Sequence, residues 1–86
     1  MSVYVDKTSN AFRRMKMCHM VADTLDELHD MAERIGMKRE WFQGDASTPH
    51  YDLSKAKRKL AVQYGVIELD RKEFVGVLVR LRLERQ

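Results

Sequence analysis

Apolar residues return at helical spacing in one stretch above all others. Leu25, Leu28, Ala32 and Ile35 fall on one face, with Met31 beside them. Thr24-Leu25-Asp26-Glu27 reads as a capping box, in which Thr and Glu satisfy the free N–H groups of a first turn. Gly36 supplies a left-handed stop, so the pattern predicts a helix over 24–35. A second helix is expected from about Ser54 to Tyr64, capped by Asp52 or Ser54 and ended by Gly65. Its inward positions read as Ala56, Leu60, Ala61 and Tyr64. Asp70-Arg71-Lys72-Glu73 again resembles a capped start. Beyond it, Phe74, Val77, Leu78 and Leu81 fit a helical stripe, while Val77, Val79, Leu81 and Leu83 fit a period of two. A helix over about 71–80 is the favoured reading.

Strand signals are shorter. Ser2 to Val5 holds Val3, Tyr4 and Val5, all strand formers, and Val66 to Leu69 is a brief apolar run. Residues 7–17 are polar and basic without a period and read as a loop. Residues 37–43 read as a short strand or one turn of helix, and 44–49 as a loop. The order strand, helix, short element, helix, strand, helix points to an α/β domain, with α+β as the alternative. The expected architecture is a small sheet of two or three short strands packed against about three helices. A mainly helical domain is the competitor.

Eighty-six residues allow one domain with one modest core, spanning 1–86. The single cysteine, Cys18, rules out an intrachain disulfide, and a secreted domain of this size would normally carry several. No apolar run approaches the ~20 residues of a membrane span. The N-terminus lacks the pattern of a secretory leader. A cytoplasmic location is therefore expected. Charge is uneven: residues 1–52 hold seven Lys/Arg against nine Asp/Glu, and 53–86 hold nine against four. The basic half, with Lys55, Lys57, Arg58 and Lys59 and a tail of Arg80, Arg82 and Arg85, keeps a nucleic-acid or protein partner in view. Apolar positions on more than one face of Val75 to Leu83 point to a homodimer.

The densest candidate chemistry is His50-Tyr51-Asp52. In extended backbone, His50 and Asp52 point the same way and Tyr51 turns toward the core. A His beside a carboxylate can ligate a divalent metal, or act as a general base with its orienting group. His50 is the candidate base and Asp52 its orienter. Asp52 equally suits a plain helix cap. His19 and Asp23 lie four apart before the first helix, and whether they meet depends on whether residues 17–23 curl. Asp6 ends a strand, where α/β sites gather. Arg39, Trp41 and Gln43 flank the triplet's loop, with Tyr51 inside the triplet itself. Together these residues suggest a polar pocket for a small anionic, nucleotide-like ligand or a divalent metal, with hydrolysis open to it. No CxxC pair, HExxH or glycine-rich phosphate loop is present. His29 reads as structural, and Cys18 as a packing residue. A helix-turn-helix around Ala61 and Gly65 fits poorly, because Val66 to Leu69 looks like a strand.

Several of these stretches recur together. Tyr4-Val5-Asp6, His19-Met20-Val21-Ala22-Asp23, Glu27-Leu28-His29, Trp41-Phe42-Gln43 and His50-Tyr51-Asp52, followed by Ala61 and Gly65, resemble a small bacterial and phage family, domain of unknown function 4031. The resemblance covers almost the whole chain in order and implies a stand-alone domain of this size, with no activity attached. Two departures stand out: Met17-Cys18 replaces a Trp-Ser of many members, and the tail after Val79 is more basic.

Overall fold

The computed structural model describes residues 2–7, 18–45 and 48–84. Four strands form one sheet in the order β3-β2-β1-β4. They are β1 (Val3–Asp6), β2 (Cys18–Ala22), β3 (Tyr51–Leu53) and β4 (Ile67–Leu69). β1 pairs antiparallel with β2 and parallel with β4, and β2 pairs antiparallel with β3. Helices α1 (Leu25–Arg34), α2 (Lys55–Gln63) and α3 (Arg71–Glu84) complete the domain, with a 3₁₀ turn at Arg39–Trp41.

The mixed α/β class matches the expectation; the sheet has four strands rather than two or three. β2 and β3 are the additions. β2 buries Cys18, Met20 and Ala22 on one face and Val21 on the other, so it lacks the alternation of a half-exposed strand. The stretch 37–43 divides between both forms expected of it: the 3₁₀ turn, then a bridge from Gln43 to His50. The expected loop over 7–17 lies, past Lys7, outside the described residues.

The helix starts follow local chemistry. Thr24 Oγ1 accepts from the Glu27 N–H at 3.2 Å and donates to the Glu27 carboxylate at 2.8 Å. The Glu side of the box thus holds the Thr hydroxyl rather than its backbone. Gly36 takes φ 82°, the left-handed conformation glycine adopts without strain. Ser54, not Asp52, caps α2, accepting from the Lys57 N–H at 3.2 Å. Asp70 and Glu73 form a reciprocal box at α3, through bonds of 2.8 and 3.4 Å. α3 continues to Glu84, which settles residues 77–83 as helix and carries it past the expected end near 80.

The sheet separates two apolar clusters. On one side, Val5, Met20, Tyr51 and Leu53 pack with Leu28, Ala32 and Ile35 of α1 and Ala61 of α2. On the other, Val21 packs with Phe74 and Leu81 of α3. Two expected inward positions of the second helix are exposed, Ala56 and Tyr64. Val75, Val79 and Leu83 are exposed along α3.

Candidate functional site

Strand alternation assembles the site. Val5 pairs with Met20, so one step further Asp6 stands beside His19. His19 is the register partner of Asp52. Val5, Met20 and Tyr51 point toward α1, so their neighbours Asp6, His19 and Asp52 point to the opposite face. His50 reaches the same face, two residues from Asp52. Three strands, distant in sequence, thus deliver two carboxylates and two imidazoles to one place.

Each ring is oriented through Nδ1. His19 Nδ1 donates to Asp6 Oδ2 at 3.2 Å, while Asp6 Oδ1 accepts the His19 backbone N–H at 3.3 Å. His50 Nδ1 donates to the Thr48 carbonyl at 2.8 Å. A neutral ring that donates from Nδ1 carries its lone pair on Nε2. Both Nε2 atoms face Asp52 Oδ1, at 3.6 Å from His19 and 3.4 Å from His50. The other Asp52 oxygen, Oδ2, accepts from Gln43 Nε2. Asp52 Oδ1 is buried and has no hydrogen-bond partner among the described residues. Three ligand atoms, one each from His19, His50 and Asp52, lie within 4.8 Å of one another.

Electrostatics follow from this packing. The hydrogen bond to Asp6 raises the His19 pKa above its ordinary value; partial burial opposes, and the charges of Asp6 and Asp52 add to the rise. Exposure grades across the cluster: the His19 side chain is 45% accessible, Asp52 29%, His50 16% and Asp6 10%. The cluster is therefore anchored at Asp6 and open at His19. Cys18, next along β2, points to the opposite, buried face, and burial pushes its thiol pKa up. It is no nucleophile for this site.

Of the residues expected to line a pocket, Asp6, His19, Gln43, His50 and Asp52 come together; four do not. Asp23 lies past the far end of β2. Four residues of extended chain span roughly 13 Å, so it cannot join His19. There it accepts from Arg80 at 2.7 Å, Tyr4 Oη at 3.0 Å and the Ser2 N–H at 2.8 Å. Burial would raise its pKa, but these bonds outweigh it and hold the carboxyl below its ordinary value. Tyr51 is buried on the α1 side, its hydroxyl 2.8 Å from His29 Nδ1. Burial raises the Tyr51 pKa and lowers that of His29, with the Arg39 charge adding to the fall at His29. Arg39 thus acts electrostatically on the His29–Tyr51 side. Trp41 is 47% exposed, with the Lys38 ammonium 5.5 Å from its ring centre.

The basic second helix is partly spoken for. Lys57 donates to the Ile35 carbonyl at 2.7 Å, and Arg58 to the carbonyls of Asp6 and Lys7 at 3.4 and 3.2 Å. Lys55 and Lys59 remain exposed on α2. The carbonyl of Thr48, which aims His50, is the site element that residue chemistry missed. Its one signal was Pro49, whose ring fixes φ and favours an extended residue before it.

Fold and site together define a small mixed α/β domain with a two-histidine, two-carboxylate cluster on one face of its sheet. The chain belongs to the family described as Protein of unknown function (DUF4031), whose model matches residues 3–81. No curated protein and no solved structure matches it. No helix among the described residues is long and apolar enough to cross a membrane.

Proposed function

We propose that His19, His50 and Asp52 bind a divalent transition-metal ion, and that the bound ion supplies hydrolytic chemistry toward a small anionic ligand. One observation carries the reading. Asp52 Oδ1 is buried, without a hydrogen-bond partner among the described residues, between two imidazole Nε2 atoms whose Nδ1 atoms are already engaged. A buried carboxylate oxygen left unpaired is costly. A cation there removes that cost and uses both nitrogen lone pairs.

The donor set fits such an ion. Imidazole and carboxylate suit zinc and its neighbours in the first transition row. Bonds of about 2.0–2.1 Å place ligand atoms roughly 3.3 Å apart at a tetrahedral centre; the two edges to Asp52 Oδ1 are 3.4 and 3.6 Å, and all three atoms lie within 4.8 Å of one another. Each ligand also has an outer partner: Asp6 for His19, the Thr48 carbonyl for His50, and Gln43 for Asp52. Metal-binding histidines are usually oriented in this way. Two imidazoles and one carboxylate would make a three-residue ligand set of the kind catalytic zinc sites use.

A divalent ion held by His19, His50 and Asp52 would supply Lewis-acid and water-activating chemistry. The chain's own groups have narrower tasks. Asp6, the Thr48 carbonyl and Gln43 orient the three ligands. With both rings neutral, Asp6 and Asp52 bring two negative charges, which repel an anionic ligand unless a cation is present. The ion therefore comes before the anion.

Thermal melting of the metal-stripped protein with zinc, manganese, cobalt and nickel tests the reading. An ion at 100 times its dissociation constant adds ~2.7 kcal/mol, and each kcal/mol raises Tm by roughly 4–8 °C in a domain this size. Stabilisation that disappears in His50→Ala supports the site. A flat response to all four ions removes it.

A further inference from the structure

Among the described residues, the segment from Thr48 to His50 is held at its base and again farther out, beyond the cluster. At its base, the Gln43 N–H donates to the His50 carbonyl at 2.9 Å. Farther out, Arg82 of α3 donates from Nε to Thr48 Oγ1 at 3.3 Å. Thr48 is only 6% exposed, and the same residue's carbonyl receives the His50 Nδ1 proton at 2.8 Å. Between Thr48 and His50 stands Pro49, which restricts φ at its own position and the backbone of the residue before it. A short, stiff path thus joins the Arg82 guanidinium, the Thr48 hydroxyl, the Thr48 carbonyl and the His50 ring.

We infer that Arg82 is a positioning residue for the metal site, acting through Thr48 on the orientation of His50; the inference rests on the metal reading above. The last turns of α3 then set how well His50 presents Nε2 to an ion, through the Arg82–Thr48 bond. Arg80, two residues earlier, supplies the control. It also anchors α3 to the sheet, through Asp23 at 2.7 Å and Tyr4 at 3.2 Å. That anchor lies at the other end of β2 and leads to no ligand. General loosening of α3 and specific loss of the Thr48 contact are therefore separable.

The experiment is a cobalt(II) titration of the metal-stripped full chain, read by visible absorption at a temperature where each variant is folded. Arg82→Gln and Thr48→Val should each weaken cobalt binding by roughly tenfold, the lower end of outer-shell effects, and alter the absorption bands. Thr48→Val keeps the carbonyl, so its effect must come through orientation. Arg82→Lys, which retains a donor, should restore most of the affinity. Arg80→Gln should bind as wild type does. If Arg82→Gln fails to fold, Thr48→Val decides alone. Wild-type affinity in Arg82→Gln or in Thr48→Val overturns the inference, as does an equal loss in Arg80→Gln. A wild-type chain that binds no cobalt overturns the metal reading itself, a result separate from either of these.

Discussion

His19 and Asp52 are register partners across β2 and β3, with His19 Nε2 3.6 Å from Asp52 Oδ1. That separation is too long for a good hydrogen bond and close to the spacing of two ligands on one ion. Asp52→Asn separates these roles. The amide can still accept from Gln43, and its NH2 can donate to a histidine Nε2. The metal-free variant should melt at or above wild type, because the buried position without a hydrogen bond then carries a donor that can make one. Its response to zinc should vanish. A zinc-induced rise equal to wild type, in thermal melts, would contradict the role given to Asp52.

Acidity should strengthen one internal contact and weaken the hold on the ion. Asp6 raises the His19 pKa. Its contribution to stability is full below the unfolded value of about 6.5 and is lost as pH rises through the higher folded value. Metal-free protein should therefore lose this increment in mildly alkaline solution, and Asp6→Asn should flatten the profile. Protons compete with the ion for the same nitrogen, so zinc affinity should fall as pH drops through that range. Melting curves and zinc titrations across pH check both directions.

Asp23 belongs to the scaffold. Its carboxyl is held below the ordinary value, so its stabilisation is present above about pH 3.9 and is lost as pH falls through the lowered folded value. Arg80→Ala should cost ~1 kcal/mol, a modest figure for a half-exposed pair. It should reduce the acid sensitivity of the melt and leave zinc binding intact. Loss of zinc binding in Arg80→Ala would return Asp23 to the site.

Tyr51 sits in the middle of the candidate triplet yet faces the other way. Tyr51→Phe removes the contact with His29 and should cost ~1 kcal/mol, with no change in zinc affinity. Weaker zinc binding at unchanged stability would show Tyr51 acting on the site.

These contrasts show which features were legible in the residues. Thr24, Gly36, Gly65 and the Asp70–Glu73 pair act locally, within a few positions, so three helices could be read directly. β3 is three residues long and β2 is covered on both faces, so neither carries a strand period. The His50–Asp52 pairing follows from the two-residue repeat of extended chain. The His19–Asp52 pairing follows from register, which arises only when distant segments meet. Asp23 was drawn toward the site by nearness in sequence to His19. Four steps of strand then placed it in a different set of contacts.

The sheet order has a consequence for folding. Asp6, His19 and Asp52 come from three neighbouring strands, with His50 just ahead of β3, and the chain from β1 to β3 runs through most of its first half. A slip of one residue between β2 and β3 would send His19 to the opposite face. Short strands resist such slips weakly. An ion gripping both strands would penalise every misaligned pairing, because only one alignment presents all three ligand atoms. The cluster would then act as a proofreader of the sheet that builds it, and metal-starved chains would refold with more misregistered species than chains refolded with zinc.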